Sequence, residues 1–452
     1  MSEIKHLYVH IPFCRTPCAY CDFASEPVGA HARAGRVARY LRALREELEE
    51  AAVPPGPRST EAAAPPGGVA PSAVCRSFET IYLGGGTPTV VAPELLVPLV
   101  RHLASRLSGS GGMVGGMVGG AVGGAVGGMV DGAVGSMVGG AGLLSEFTIE
   151  ANPGTIEPAL LRDLAAAGAT RLSLGVQSFA PALRAALGRR VTQKEIDDAL
   201  AAIAAGGWRE WNIDLVFGIP GQTWSDAAAD IDAAAAAGPT HISLYDLTYT
   251  RAFRTRVDVT LGAGARRAAV AFAEKHYAAA VARLEAAGYR RYEVSNFAQP
   301  GHECRHDQAY WRGEDYLGIG ASAVSTSGGE RRTNPRSVGD YLAKRPARVE
   351  TLSAETRLWE KAMLGLRTSE GVEEAAVLSV VDRAARDRLL AQGCLERRYG
   401  KLRLNPGFLD VSNTIIGALL IQPGESGHPH TGGRWYSQRD NGRYSTPSPS
   451  GT

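Results

Sequence analysis

The stretch HLYVHIPFCRTPCAYC, residues 6–21, decides how the chain is read. Its first six residues are a short apolar, β-branched run of strand character. A loop follows at once, carrying Cys14-x-x-x-Cys18-x-x-Cys21. Three thiolates on one short loop can converge on one metal centre. A closed structural zinc site wants four protein ligands, and a plain electron-transfer iron–sulfur cluster usually wants four cysteines. Three cysteines on a cubane leave one iron open, and an open iron can bind and polarise a small molecule. A zinc site completed by His10, or three unligated thiols, are the other readings that the spacing allows.

Outward from this loop one rhythm continues to about residue 290. A short strand-like run is followed by a turn and then by an Ala/Leu/Arg-rich helical stretch. The strand candidates are 6–11, 79–84, 146–150, 171–176, 212–217 and 241–247. The helix candidates are 30–52, 92–107, 157–167, 193–206, 224–237 and 265–287. Successive βα units predict a parallel sheet with right-handed crossovers, either an open doubly wound sheet or a partial barrel. Polar clusters fall where these strands end: GGGTP at 84–88, Glu150 to Pro153, Gln177 to Phe179, and Asp214. In both architectures ligands sit at the carboxyl ends of the strands.

The chain has 452 residues, which predicts two or three domains at roughly 100–200 residues each. Its net charge of +2 offers no basic excess for bulk binding to nucleic acid. Six cysteines in so long a chain do not make a secreted disulfide scaffold, and the N-terminus lacks the apolar core of a signal peptide. A cytoplasmic location is expected. Low-complexity inserts are expected near 53–74 and 108–142. The second repeats [MA]-V-G-G, too rich in glycine for a stable membrane span. The tail 423–452 is expected to be disordered. Residues 290–297 read as a strand, 353–367 and 379–392 as helices, 394–404 as a hairpin turning at Tyr399-Gly400, and 408–421 as a last helix. The expected division is a 1–290 core, a 291–350 extension facing substrate, a 351–422 mainly helical, winged-helix-like domain, and the tail.

The cysteine spacing, with the aromatic Tyr20 before the third Cys, resembles the radical S-adenosylmethionine superfamily. GGGTP resembles that superfamily's Gly-rich segment. Within it the chain is most similar to the coproporphyrinogen III oxidase-like branch. The segments that carry this are HIPFCRTPCAYCDF, IYLGGGTPT, FTIEANPGT, RLSLGVQSF, NIDLVFGIPGQT, HISLYDLT, YEVSNFAQPGHECRHDQAYWRGEDYLGIG and EKAMLGLRTSEGV, spread over most of residues 6–370. The resemblance implies a partial (β/α)6 barrel and a [4Fe–4S] cluster on Cys14, Cys18 and Cys21. It implies S-adenosylmethionine held by Tyr8, Tyr20, Gly85, Gly86, Thr87, Glu150, Gln177, Arg189 and Asp214.

Phe23 stands where the branch's oxygen-independent oxidase carries a further Cys, and the arm before the first strand is short. Both features resemble the HemW-type haem chaperones instead. The segment from Cys304 to Trp311 is similar to that group's H-N-x-x-Y-W motif, with Asp307 in place of Asn. The resemblance therefore implies haem as cargo, with His306, and Cys304 beside it, at the barrel mouth. It implies a haem-acceptor protein, a reductant such as flavodoxin or ferredoxin, and at most peripheral membrane contact. Val191, the Ala321–Ser325 stretch and Thr250 lack two histidines and a carboxylate usual in the group. The alternative is decarboxylation of coproporphyrinogen III by the oxidase route.

Overall fold

The computed structural model describes residues 3–28, 34–52, 77–107 and 146–421. Both expected inserts, the tail and Cys75 lie outside them. Six strands run parallel and neighbour one another in chain order: β1 (His6–Ile11), β2 (Thr80–Gly85), β3 (Glu146–Ala151), β4 (Arg171–Gln177), β5 (Glu210–Phe217) and β6 (His241–Asp246).

Two-residue periodicity gives this sheet its two faces. Leu7, Val9 and Ile11 point to the helical side, as do Ile81 and Leu83, Phe147 and Ile149, Leu172 and Leu174, Ile213 and Leu215, and Ile242 and Leu244. All are buried in one core. The alternate residues line the inside of the curved sheet. They include Tyr8, Tyr82, Glu150, Ser173, Asn212, Asp214, Ser243 and Tyr245, and they are polar. A sheet with an apolar outer face and a polar inner one curls around a lumen under an outer helical layer. That layer comprises α1 (Ala34–Ala52), α2 (Pro93–Ala104), α3 (Pro158–Ala166), α4 (Pro181–Ala186), α5 (Gln193–Gly206) and α6 (Trp224–Ala236). Thr192 with Glu195, and Thr223 with Asp226, form reciprocal capping boxes that start α5 and α6.

The barrel stays open. β7 (Asn296–Ala298) pairs antiparallel with β6, and β8 (Tyr316–Ile319) pairs parallel with β1. From β8 an antiparallel ribbon continues through β9 (Val324–Ser327), β10 (Glu330–Thr333) and β11 (Arg348–Thr351). The expected strand over 290–297 is broken into Arg290–Arg291 and β7, with a bend where Glu293 is buried. The expected helix over 265–287 is preceded by a further one. These are α7 (Arg251–Thr260) and α8 (Ala263–Ala286), separated at Gly262, whose φ is +81°.

After β7, the short helix α9 (Arg305–Trp311) crosses the end of the barrel where strands begin. Glu146, the first residue of β3, accepts from the backbone N–H groups of Arg305 and His306, both at 3.0 Å. A carboxylate at a helix N-terminus satisfies donors that have no partner within the helix. The helix is thereby fixed as a floor beneath the lumen.

A second, smaller core covers residues 362–420. Ala354–Gly365, Arg383–Ala391 and Ser412–Leu419 supply its helices. The hairpin Leu395–Arg398/Lys401–Leu404 packs with them. Tyr399 and Gly400 turn it with φ of +52° and +80°, as a two-residue hairpin turn of this kind requires. Among the described residues no helix is long and apolar enough to cross a membrane.

Candidate functional site

The cysteine loop sits at the carboxyl end of β1, and the glycine run holds it there. The N–H of Gly86 donates to the carbonyl of Ile11 at 2.8 Å, and the N–H of Thr87 donates to that of Phe13 at 2.7 Å. A Cβ built on Gly86 would stand 2.6 Å from the Phe13 carbonyl oxygen, and one on Gly85 2.5 Å from the His10 ring. Close packing of the protein against itself therefore demands these glycines. His10 adds a second tie: its Nε2 donates to the carbonyl of Ala24 at 2.8 Å, beyond the third cysteine. Its Nδ1 accepts from the hydroxyl of Tyr8 at 3.0 Å. Burial lowers the His10 pKa to about 4, so the ring is neutral.

Cys14, Cys18 and Cys21 are all free and half-buried. They lie near enough to act on one another electrostatically. Burial pushes the Cys14 thiol up and the Cys21 thiol up to about 11. Such thiols stay protonated until a metal takes the proton's place. Among the described residues no three His, Cys, Asp or Glu side chains gather around a single ion. A cubane takes each thiolate on a separate iron, so its three sulfurs stand apart, and the donor set fits such a cluster.

One hydrogen-bonded chain joins this loop to three strand ends. Thr87 Oγ1 donates to Cys14 Sγ at 3.8 Å, while Asn152 Nδ2 donates to Thr87 Oγ1 at 2.6 Å. Arg189 Nη2 donates to Asn152 Oδ1 at 2.6 Å and to the Gly175 carbonyl, and Arg189 Nη1 reaches Cys18 Sγ at 3.5 Å. Arg189 Nε is buried and has no partner among the described residues, an orphan donor beside the thiols. Gln177 has a φ of +72° at a bulge between β4 and β5. Its amide approaches the same spot, since a Cβ on Gly175 would meet Gln177 Nε2 at 2.9 Å. A non-glycine residue in the left-handed region is strained, and such strain gathers at functional sites. Tyr20 stands near enough to Arg189, Cys18 and Asp214 to feel their charges, and its ring lies 6.3 Å from that of Phe253.

Below the loop the lumen is acidic. Glu150 accepts from the Tyr82 hydroxyl and from the Gly85 N–H, both at 2.9 Å. Burial first, and then the Asp214 charge, raise its pKa to about 7. Burial raises Asp214 too, against hydrogen bonds from Asn212, Ser243 and Ser173. From the floor, Asp307 is raised to about 6 by burial and by Glu146. Glu293, 1% exposed, is raised to about 7 by burial, with Asp307 adding to it. The sequence reading did not pick out Asn152, Tyr82, Glu293 or Asp307 as site residues. All four lie inside the motif segments quoted above, which do not tell which of their side chains face the lumen.

A raised carboxylate pKa works against the folded state as pH rises. Between the ordinary carboxylate value near 4.5 and about 7, the unfolded chain releases the Glu293 proton and the folded one keeps it. Glu293→Gln removes this penalty. Its stability relative to the unaltered protein should therefore grow from pH 5 to pH 8, by up to about 3 kcal/mol, in urea unfolding. A pH-independent difference would show that Glu293 does not titrate there.

His306 is placed differently from the sequence expectation. It lies on the floor helix α9, at the opposite end of the strands from the cysteines, and is fully buried. Thr80 Oγ1 engages its Nδ1 at 2.7 Å, the Tyr310 hydroxyl engages its Nε2 at 3.0 Å, and its ring stacks on Tyr82. Burial lowers its pKa to about 3. An open axial ligand at the barrel mouth is thus not what this histidine presents: both nitrogens are occupied. Cys304 is buried beside it, with its Sγ 3.4 Å from Glu146.

Six parallel strands, a three-cysteine loop at their carboxyl ends and a polar lumen define a radical S-adenosylmethionine protein. Residues 73–234 match the radical SAM superfamily. The fold is similar to that of Escherichia coli coproporphyrinogen III oxidase (HemN), a radical SAM enzyme, with a TM-score of 0.65. That match covers 92% of this chain and 90% of the other at 20% identity. Heme chaperone HemW of Mycobacterium tuberculosis is 31% identical over 422 residues, 92% of this chain and 94% of that protein. HemW of Synechocystis sp. is 31% identical over 388 residues, 82% of this chain and 80% of that protein. The chain belongs to the HemW family. Membership of the superfamily implies a [4Fe–4S] cluster and S-adenosylmethionine.

Proposed function

We propose that this protein is a haem chaperone that carries a [4Fe–4S] cluster and S-adenosylmethionine and hands haem to an acceptor protein in the cytoplasm. The similarity to HemW chaperones along 92% of the chain carries this reading. Cys14, Cys18 and Cys21 hold the cluster, whose open iron binds S-adenosylmethionine and supplies one-electron chemistry when reduced. Gly85, Gly86 and Thr87 set the loop against β1. Arg189 and Gln177 offer donors to a carboxylate, and Tyr8, Glu150 and Asp214 face the cationic and hydroxyl-bearing parts of the ligand. Tyr20, packed on Phe253, steadies the loop between Cys18 and Cys21. An acceptor protein and a reductant such as flavodoxin or ferredoxin complete the cycle.

Phe23 favours this reading over the oxidase. Its side chain is 49% exposed beside the loop, where the oxidase carries a thiol. The test is anaerobic: reconstitute the cluster, titrate haem, and assay coproporphyrinogen III with S-adenosylmethionine and a reductant. Stoichiometric haem uptake without turnover is the expected result. Multiple turnovers would make the protein an oxidase despite Phe23.

A further inference from the structure

Gln177 and Arg189, the two donors offered to a ligand carboxylate, stand on either side of the short helix α4. One side chain ties both flanks together. Arg184 of α4 is only 1% exposed. Its Nη1 donates to the carbonyl of Ser178, the residue after Gln177, at 2.9 Å. Its Nε donates to the carbonyl of Val191, just past Arg189, at 3.0 Å. Its Nη2 lies 3.4 Å from Gln193 Oε1 at the start of α5. The backbone adds another tie. Gly188, with a φ of +75°, ends the helix. The N–H of Gly188 donates to the Ala185 carbonyl and that of Arg189 to the Arg184 carbonyl, both at 2.9 Å. These paired bonds form a Schellman motif, which fixes where Arg189 leaves the helix.

A guanidinium buried this deeply is costly. Among the described residues no carboxylate pairs with it directly. Asp230 lies near enough to favour its charge, and Arg189 near enough to oppose it. A well-packed apolar side chain could fill the same space at less cost. What the guanidinium supplies is a rigid planar fork, which sets both the distance and the direction between two acceptors. Here the acceptors belong to the two arms that carry Gln177 and Arg189. Gln177 needs such support, because its φ of +72° is strained. Strained backbone persists only where its surroundings over-determine it. Asp230 of α6 holds the same turn, its Oδ1 accepting from the Phe179 N–H at 2.7 Å. On the other arm, the buried and unpartnered Nε of Arg189 is a donor that gains a use once its position is fixed.

We propose that Arg184 is a positioning residue for S-adenosylmethionine, setting the separation at which Gln177 and Arg189 meet the carboxylate of the ligand. The inference rests on the proposed binding of that ligand. Arg184 is closed off from solvent and acts through the two arms. Its influence therefore falls on the amino-acid end of the ligand and spares the adenosine end.

The test measures two ligands by equilibrium dialysis on the reconstituted full chain. One is S-adenosylmethionine. The other is 5′-methylthioadenosine, which keeps the adenosine and lacks the amino acid. Arg184→Met removes the fork and keeps an extended side chain. It should bind S-adenosylmethionine about tenfold or more weakly than the unaltered protein, since small misplacements of binding groups are costly. It should bind 5′-methylthioadenosine as before and hold the same iron. Arg184→Lys keeps the charge but can bridge the two carbonyls only poorly, so its affinity for S-adenosylmethionine should fall between the two. Equal weakening of both ligands in Arg184→Met would mark Arg184 as a general support of the barrel and overturn the proposal. Unchanged affinity for S-adenosylmethionine would overturn it too. If Arg184→Met does not fold, Arg184→Lys reads the same ratio of affinities, and an unchanged ratio there would overturn the proposal. An unaltered chain that holds its cluster but binds no S-adenosylmethionine would instead fault the reading on which the proposal rests.

Discussion

Replacing Cys18 with Ser should abolish cluster assembly while leaving the fold in place. After anaerobic reconstitution with iron and sulfide, Cys18→Ser should hold about a tenth or less of the iron of the unaltered protein and lack its broad visible absorbance. The physical reason is the donor set. A cubane bound through three protein thiolates has no spare ligand, and a serine hydroxyl is far harder to deprotonate and a harder donor than a thiol. The fold survives because Cys18 is half-exposed on a loop, outside the apolar core behind the sheet. Its thiol lies 3.5 Å from Arg189 Nη1, a donor from which a hydroxyl can still accept. Far-ultraviolet circular dichroism should therefore match between the two proteins. Full iron retention in Cys18→Ser would remove Cys18 from the ligands.

Much of the barrel was legible because the strands that build it are short, apolar and regularly spaced. All six parallel strands stand within a few residues of their expected positions. Helix α7 escaped notice because RAFRTRVDVT buries only Phe253 and Val257 and otherwise reads as a charged loop. Its helical state comes from tertiary packing on Tyr20, not from local propensity. The antiparallel ribbon β9–β11 was missed for a related reason: its strands are four residues each and half-exposed, so they carry little periodicity.

The candidate site divides in the same way. Positions within motifs emerged from the sequence, but which atom each side chain meets did not. The motif at 304–311 suggested a ligand at the mouth. Its location at the floor follows from Glu146 capping α9, a contact 160 residues apart in the chain. The carboxyl-rich lumen was hidden similarly, since Glu150, Asp214, Glu293 and Asp307 meet only after the sheet curls.

Gly86→Ala should be strongly damaging for a change of a single methyl group. A methyl that meets only the end of a flexible side chain can be absorbed by a small shift. Here the added Cβ meets backbone, at 2.6 Å from the Phe13 carbonyl oxygen and 2.9 Å from that of Ile11. Neither can move without pulling β1 away from its neighbours. Two hydrogen bonds lie at the same junction, from the N–H groups of Gly86 and Thr87. Overpacking costs about 1–3 kcal/mol and each of the two weakened hydrogen bonds about 1 kcal/mol, so a loss of about 3–5 kcal/mol is expected in urea unfolding. The shift has a chemical consequence, because Phe13 is the residue before Cys14 and Thr87 reaches Cys14 Sγ. Iron retention should fall with stability in Gly86→Ala. By contrast, Gly207→Ala should leave iron retention untouched: nothing lies within 4 Å of its Cβ, and any loss there comes from its φ of +65° alone. Equal iron content in Gly86→Ala and the unaltered protein would show that the glycine run does not set the cysteine loop.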